Sequence, residues 1–70
     1  MRLNVNGETR DTACRDLAAL WRAETADLDG PTPKGFAIAL NGAVVRRDFW
    51  AATALNEGDR VEIIRAMQGG

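Results

Sequence analysis

The residues of this chain best suited to chemistry are its last four, Met67, Gln68, Gly69 and Gly70. Two successive glycines leave a backbone without Cβ atoms, which can thread a narrow channel and present only the carboxylate of Gly70 to whatever lies at the bottom. An α-carboxyl group titrates at about 3.3 to 3.7, so it is ionised at neutral pH and resists acyl attack. Conversion to a mixed anhydride supplies the leaving group that makes it an acyl donor. Four extended residues at about 3.3 to 3.6 Å each reach roughly 13 to 14 Å beyond a folded domain, deep enough to enter another protein's active site. The plain alternative is a chain end with no role.

The remaining inventory is sparse. There is one cysteine, Cys14, and no histidine. Without histidine or a second cysteine, neither a zinc-ligand spacing nor a Cys/His nucleophile pair can be drawn, and no metal site is expected. Cys14 reads as a small residue packed at a helix edge rather than a reactive thiol. No acid, base and nucleophile occur in a catalytic pattern, so the chain is not expected to be an enzyme or to bind a cofactor of its own.

The elements that must hold out such a tail fit one small domain of 70 residues. A domain near this size buries only about 60% of the surface its unfolded chain exposes, so its core has to be efficient. Nine Lys and Arg stand against ten Asp and Glu, for a net charge of −1. That balance gives no footprint for a phosphate backbone or an anionic bilayer, so neither nucleic acid nor membrane is expected as a partner. No apolar run approaches the ~18 residues of a membrane span and no leader pattern opens the chain, which points to the cytoplasm. The expected division is a folded domain over residues 1–66 and a flexible tail over 67–70.

Met1, Leu3 and Val5 alternate with polar residues as a half-buried strand does, and Asn6-Gly7 signals a hairpin. A strict two-residue loop places Glu8 opposite Val5 on the core face; a loop one residue longer turns Thr9 inward, and the longer loop is expected. Thr12 can cap a helix reaching to Ala26, with Ala13, Leu17, Leu20 and Trp21 on one stripe. Turn formers from Ala26 to Gly35 make a loop. Phe36, Ile38 and Leu40 alternate again, and a two-residue turn at Asn41-Gly42 puts Val45 opposite Ile38. A short turn or helix over Arg46 to Trp50 and a connector to Leu55 lead through Glu57-Gly58-Asp59 into a last strand, Arg60 to Ala66.

In that last strand Val61 and Ile63 face the core, while Ile64 shares the opposite face with Ala37, Ala39 and Val44. Such a patch beside the tail is a candidate docking surface. The aromatic pair Phe49 and Trp50 offers anchors for it, although Trp50 serves equally well as a core residue sealing the sheet end. Hairpin, helix, hairpin, helical turn and strand make an α+β domain, a mixed sheet packed on one main helix. If the first and last strands pair in parallel at its centre, it is the ubiquitin-like β-grasp.

Over nearly its whole length the chain resembles the ThiS family, the bacterial sulfur carriers of thiamin biosynthesis. The resemblance rests on Met1-Arg2-Leu3-Asn4-Val5-Asn6-Gly7, on Ala39-Leu40-Asn41-Gly42 leading into Val45-Arg46-Arg47-Asp48-Phe49-Trp50, on Leu55-Asn56-Glu57-Gly58-Asp59, and on Gly69-Gly70. The chain departs from the usual pattern at Thr9-Arg10-Asp11-Thr12, which lacks the common proline and glycine, and in the Pro31 to Gly35 loop. The resemblance implies a carrier that is itself a co-substrate. Its Gly70 carboxylate is adenylated by a ubiquitin-activator-like adenylyltransferase that consumes ATP, then becomes a thiocarboxylate with sulfur drawn ultimately from a cysteine desulfurase, and thiazole synthase receives that sulfur. Three other readings stay open. The small subunit of molybdopterin synthase, also a carrier ending in Gly-Gly, typically has a proline pair where this chain has Arg65-Ala66-Met67-Gln68. A ubiquitin-like protein modifier uses the same activated glycine for an isopeptide bond, and a plain β-grasp interaction module needs no free end.

Overall fold

The computed structural model describes residues 1–28, 30 and 32–65. Within them the chain forms strands β1 (Arg2–Val5) and β2 (Glu8–Asp11), helix α1 (Leu17–Glu24), strands β3 (Phe36–Leu40) and β4 (Ala43–Val45), and strand β5 (Arg60–Arg65). Short 3-10 turns at Pro33–Gly35 and Arg47–Phe49 precede β3 and follow β4. The strand order is β2-β1-β5-β3-β4, with β1 parallel to β5 and every other neighbouring pair antiparallel. The first and last strands therefore meet at the centre, and the fold is the ubiquitin-like β-grasp.

Period-two alternation buries Leu3 and Val5 of β1, Ile38 of β3 and Val61 of β5 on one face, and the helical stripe Leu17, Leu20 and Trp21 packs on them. Ile63 and Val45 lie partly buried at the rim of this cluster, while Trp50 and Leu55 from the connector complete it.

Four expectations are corrected. The first hairpin has the strict two-residue turn: Val5 pairs with Glu8, and Asn6 and Gly7 take φ of 51° and 83°. That geometry is the mirror-image turn whose twist matches the flanking strands, so it is preferred to the longer loop. Thr9 consequently lies on the exposed face, and Arg10 is opposite Leu3 on the helix side. There the Arg10 guanidinium meets Glu8 at 2.8 Å and Glu24 at 3.3 Å. Hydrogen bonding to Glu24 and its charge, then the same contributions from Glu8, push the Arg10 pKa up.

Helix α1 is also shorter than the Thr12-to-Ala26 span. Its cap is Asp16, whose carboxylate accepts the Ala19 N–H at 2.8 Å. The Thr12 hydroxyl instead accepts the Cys14 N–H at 3.0 Å in a local turn, and Ala13 is exposed. Two N–H groups of the first helical turn find partners in the connector: Leu17 donates to the Thr53 carbonyl at 3.2 Å and Ala18 to that of Trp50 at 3.3 Å. A return bond from Leu55 N–H to the Arg15 carbonyl, 2.9 Å, and a bridge between Asp16 and Ala54 fix the segment before the helix in extended form. At the other end the buried Thr25 hydroxyl donates to the Trp21 carbonyl at 2.7 Å and ends the helix. The third correction is Trp50 and the fourth is Cys14, both described with the site below.

Both Asn-Gly turns do more than reverse the chain. Asn41, at φ 51°, accepts the Arg60 N–H on its side-chain oxygen at 2.9 Å, and Asn6 accepts the Ile63 N–H in the same way at 2.8 Å. The two asparagines thus satisfy β5 at its start and near its end. We expect Asn6→Gly, which tolerates the positive φ but has no acceptor, to lower stability by about 1 kcal/mol. Asn6→Asp keeps an acceptor and should stay within about half of that loss. Denaturant midpoints for the two variants separate the bond from the turn; equal losses would assign the whole effect to backbone conformation.

Candidate functional site

Met67, Gln68, Gly69 and Gly70 lie outside the described residues, as does Ala66, the expected last residue of β5. The strand that leads to them is well anchored. From Val61 to Arg65 it pairs with β3 in unbroken register, Leu40 with Val61 through Phe36 with Arg65. Its parallel pairing to β1 covers only Asn4 with Arg60 and Val5 with Val61, and the Asn6 side chain adds one bond beyond that, at Ile63. At the strand's end the Arg65 guanidinium stands over the Phe36 ring, 5.9 Å from its centroid, a cation–π arrangement that shields the edge of the core. Phe36 in turn meets Trp21 edge-on at 5.4 Å.

The face away from the helix carries the expected apolar patch. Ile64 is 54% exposed and Val44 76% exposed. The register sets Ile64 against Ala37, and Ala39 against both Val44 and Glu62, so the apolar side chains are contiguous across β5, β3 and β4. Glu62 and, one residue beyond the last β3–β4 pair, Arg46 flank them. Phe49, 56% exposed, projects from the 3-10 turn after β4.

Trp50 does not join this surface. It is 3% exposed, its indole N–H donates to the Val45 carbonyl at 2.9 Å, and its ring lies 6.0 Å from that of Trp21. Of the two roles open to it from sequence, the core role is the one it fills. A Trp with its N–H satisfied by backbone and its body against the helix seals the sheet end. Of the aromatic pair, Phe49 alone is exposed.

Cys14 is half-buried and packs on the core from the irregular segment before α1, not from the helix edge. Among the described residues no group of His, Cys, Asp or Glu is placed to hold a metal ion, and no helix is long and apolar enough to cross a membrane. A shallow open cleft of about 420 Å³ runs between β1 and β5, lined by Asn4, Asn6, Gly7, Arg60, Val61 and Glu62.

The described domain thus offers an exposed apolar surface on the strand that leads toward the Gly-Gly end. Comparison with known proteins agrees in fold and extent. Residues 3–70 match the ThiS family. The crystal structure of the thiamine biosynthesis protein (ThiS) from Geobacter metallireducens is similar, with 29% identity, a TM-score of 0.77 and full coverage of both chains. The NMR solution structure of a thiamine biosynthesis protein from Geobacter metallireducens is similar at 33% identity and a TM-score of 0.71, covering 100% of this chain and 88% of that one. No curated protein matches the chain. With its β-grasp sheet and a family match that spans all but the first two residues, this chain belongs to the ThiS family.

Proposed function

We propose that the chain is a sulfur carrier of thiamine biosynthesis that bears its sulfur as a thiocarboxylate on Gly70. The observation that supports this most directly is the family match, which runs through Gly69 and Gly70. In this reading residues 1–66 dock and residues 67–70 reach into the partner's active site, with Met67 and Gln68 as spacer and Gly69 and Gly70 in the narrowest part. The chain is then a co-substrate rather than an enzyme.

A Gly70 carboxylate oxygen attacks the α-phosphorus of ATP held by an adenylyltransferase of the ubiquitin-activator type, and pyrophosphate leaves. The terminal sulfur of a persulfide charged ultimately by a cysteine desulfurase attacks the acyl carbon of the resulting adenylate; a C–S bond forms and AMP departs, leaving an acyl disulfide. A thiol then attacks its S–S bond, so that a new disulfide forms and the Gly70 thiocarboxylate is released. The thiocarboxylate so produced then yields its sulfur to thiazole synthase. ATP is consumed in the activating enzyme, and the carrier binds no cofactor.

Intact mass spectrometry of protein isolated from cells starved of thiamine tests the proposal. The expected result is a fraction heavier by the difference between one sulfur and one oxygen, mapping to the C-terminal peptide. Its absence under starvation would overturn the carrier role, and isopeptide conjugates to lysine in its place would favour a protein modifier.

Docking in this reading uses Ile64 on the exposed face described above, together with the exposed Phe49 of the turn after β4. Ile64→Asp places a charge on an exposed strand position and opens no core cavity. It should retain the fold and weaken adenylyltransferase binding by about 2 kcal/mol, roughly thirtyfold. Unchanged affinity in a folded variant would move the docking surface elsewhere.

A further inference from the structure

The register of the sheet collects positive charge at one end. β5 finishes at Arg65, opposite Phe36, the first residue of β3. Lys34 lies in the 3-10 turn that enters β3, two residues before Phe36. β4 runs antiparallel to β3 and its last pair is Val45 with Ile38, so Arg46 and Arg47 follow at the level where β3 begins. Neighbouring strands are about 4.8 Å apart, so β4 and β5 are about 10 Å apart across β3. Lys34, Arg46, Arg47 and Arg65 are all exposed and stand around the end of the sheet where β5 passes into residues 66–70. They come from three separate stretches of sequence, and the chain as a whole has a net charge of −1. Asp29, Asp48 in the turn and Glu62 on the outer face are the acidic residues nearest in sequence to them. At the opposite end the charges are mixed, with Arg2 beside Asp11 at 3.8 Å, and with Glu57, Asp59 and Arg60 around the turn into β5.

We propose that this basic rim recognises an acidic protein surface around the mouth of the site that admits the tail, so that charge orients the domain before residues 66–70 enter. The inference rests on the carrier reading and names the chemistry of the partner's surface. Guanidinium groups favour carboxylates because their planar donors match a carboxylate in a paired fork. Rim charges act mainly on the rate and salt dependence of association, and the apolar patch at Ile64 and Val44 supplies contact area beside them. An interaction of this kind is screened over a Debye length of about 10 Å at 0.1 M salt, comparable to the spread of the rim.

The test pairs two charge reversals of equal size, Arg46→Glu with Arg47→Glu at the rim and Arg2→Glu with Arg60→Glu at the far end, in the full chain. Each is measured for affinity to the adenylyltransferase from the same organism at low and high salt, and for ATP-pyrophosphate exchange. The rim pair is expected to lower affinity at least about tenfold at low salt, to flatten the salt dependence, and to leave exchange at saturating carrier near that of the unaltered protein. The far-end pair should stay within about twofold. Equal losses in the two pairs would reduce the effect to net charge and overturn the proposal, as would unchanged affinity in the rim pair. A raised KM for ATP with unchanged carrier affinity would place the arginines on the nucleotide phosphates and overturn it likewise. Failure of the unaltered chain to support exchange at all would instead remove the carrier reading beneath it.

Discussion

Leu17→Ala should remove a large share of this domain's stability. Leu17 is fully buried at the first turn of α1, among the strand residues Leu3, Val5, Ile38 and Val61 and beside Trp50 and Leu55 from the connector. Truncating a buried leucine to alanine costs about 2.7 to 5 kcal/mol, the larger values arising where the surroundings cannot collapse into the space. Here they are held on both sides. The sheet is fixed by its ladder, and the connector is tied to the helix start by the Leu17-to-Thr53, Ala18-to-Trp50 and Leu55-to-Arg15 backbone bonds. A 70-residue domain has a total stability of roughly 3.5 to 10 kcal/mol, at 0.05 to 0.15 kcal/mol per residue. The loss is thus a large fraction of the whole, and all of it at the low end of that range. Chemical denaturation followed by far-UV circular dichroism checks it, with Leu17→Met as the volume-conserving control, expected to cost less than about 1.5 kcal/mol. A midpoint for Leu17→Ala within error of the unaltered protein would mean that the helix does not depend on this contact.

The core face was readable from sequence because alternation and helical spacing are local properties. Leu3, Val5, Leu17, Leu20, Trp21, Ile38 and Val61 all carry the signal on their own segments, and all are buried. The order of elements left the parallel pairing of β1 with β5 as a condition, which the register meets, and both Asn-Gly dipeptides marked their turns. What the sequence hid was decided by distant partners. Thr12 and Asp16 are both competent caps; the bridge between Asp16 and Ala54 and the Leu55-to-Arg15 bond hold the residues between them out of the helix. Trp50 sits in a short turn with no periodicity, so nothing local distinguishes a surface anchor from a core plug until its N–H meets Val45. The side-chain roles of Asn6 and Asn41 depend on where β5 lies, 57 and 19 residues away in sequence. Likewise Lys34, Arg46, Arg47 and Arg65 form a group only after strand register brings the start of β3, the end of β4 and the end of β5 to one level. The tail differs in kind: its reading came from residue type alone.

Deleting Gly70 should abolish adenylation while sparing docking. The variant still ends in glycine, so the chemical group is the same α-carboxylate with the same lack of a Cβ; only its position changes. One extended residue spans about 3.5 Å, and a reacting group displaced by as little as 1 Å can cost about a hundredfold in rate. A carboxylate held about 3.5 Å short of the α-phosphorus cannot reach attack distance unless the globular domain moves inward, and the docked surface at Ile64, Phe49 and the basic rim opposes that movement. ATP-pyrophosphate exchange should therefore fall by at least about a hundredfold, with carrier affinity changed less than about threefold, because the domain that supplies the contacts is untouched. Gly70→Ala is the companion variant. It keeps the length and adds one methyl group at the narrowest point, so its loss measures how closely the channel fits the backbone, whereas the deletion measures reach. Measuring exchange and affinity for both variants beside Ile64→Asp separates chemistry from docking: the tail variants should lose the first and keep the second, and Ile64→Asp should weaken binding while retaining exchange at saturation. Normal exchange by the chain lacking Gly70 would remove the terminal carboxylate's position from the mechanism, and a parallel loss of affinity would show that the tail itself holds the complex together.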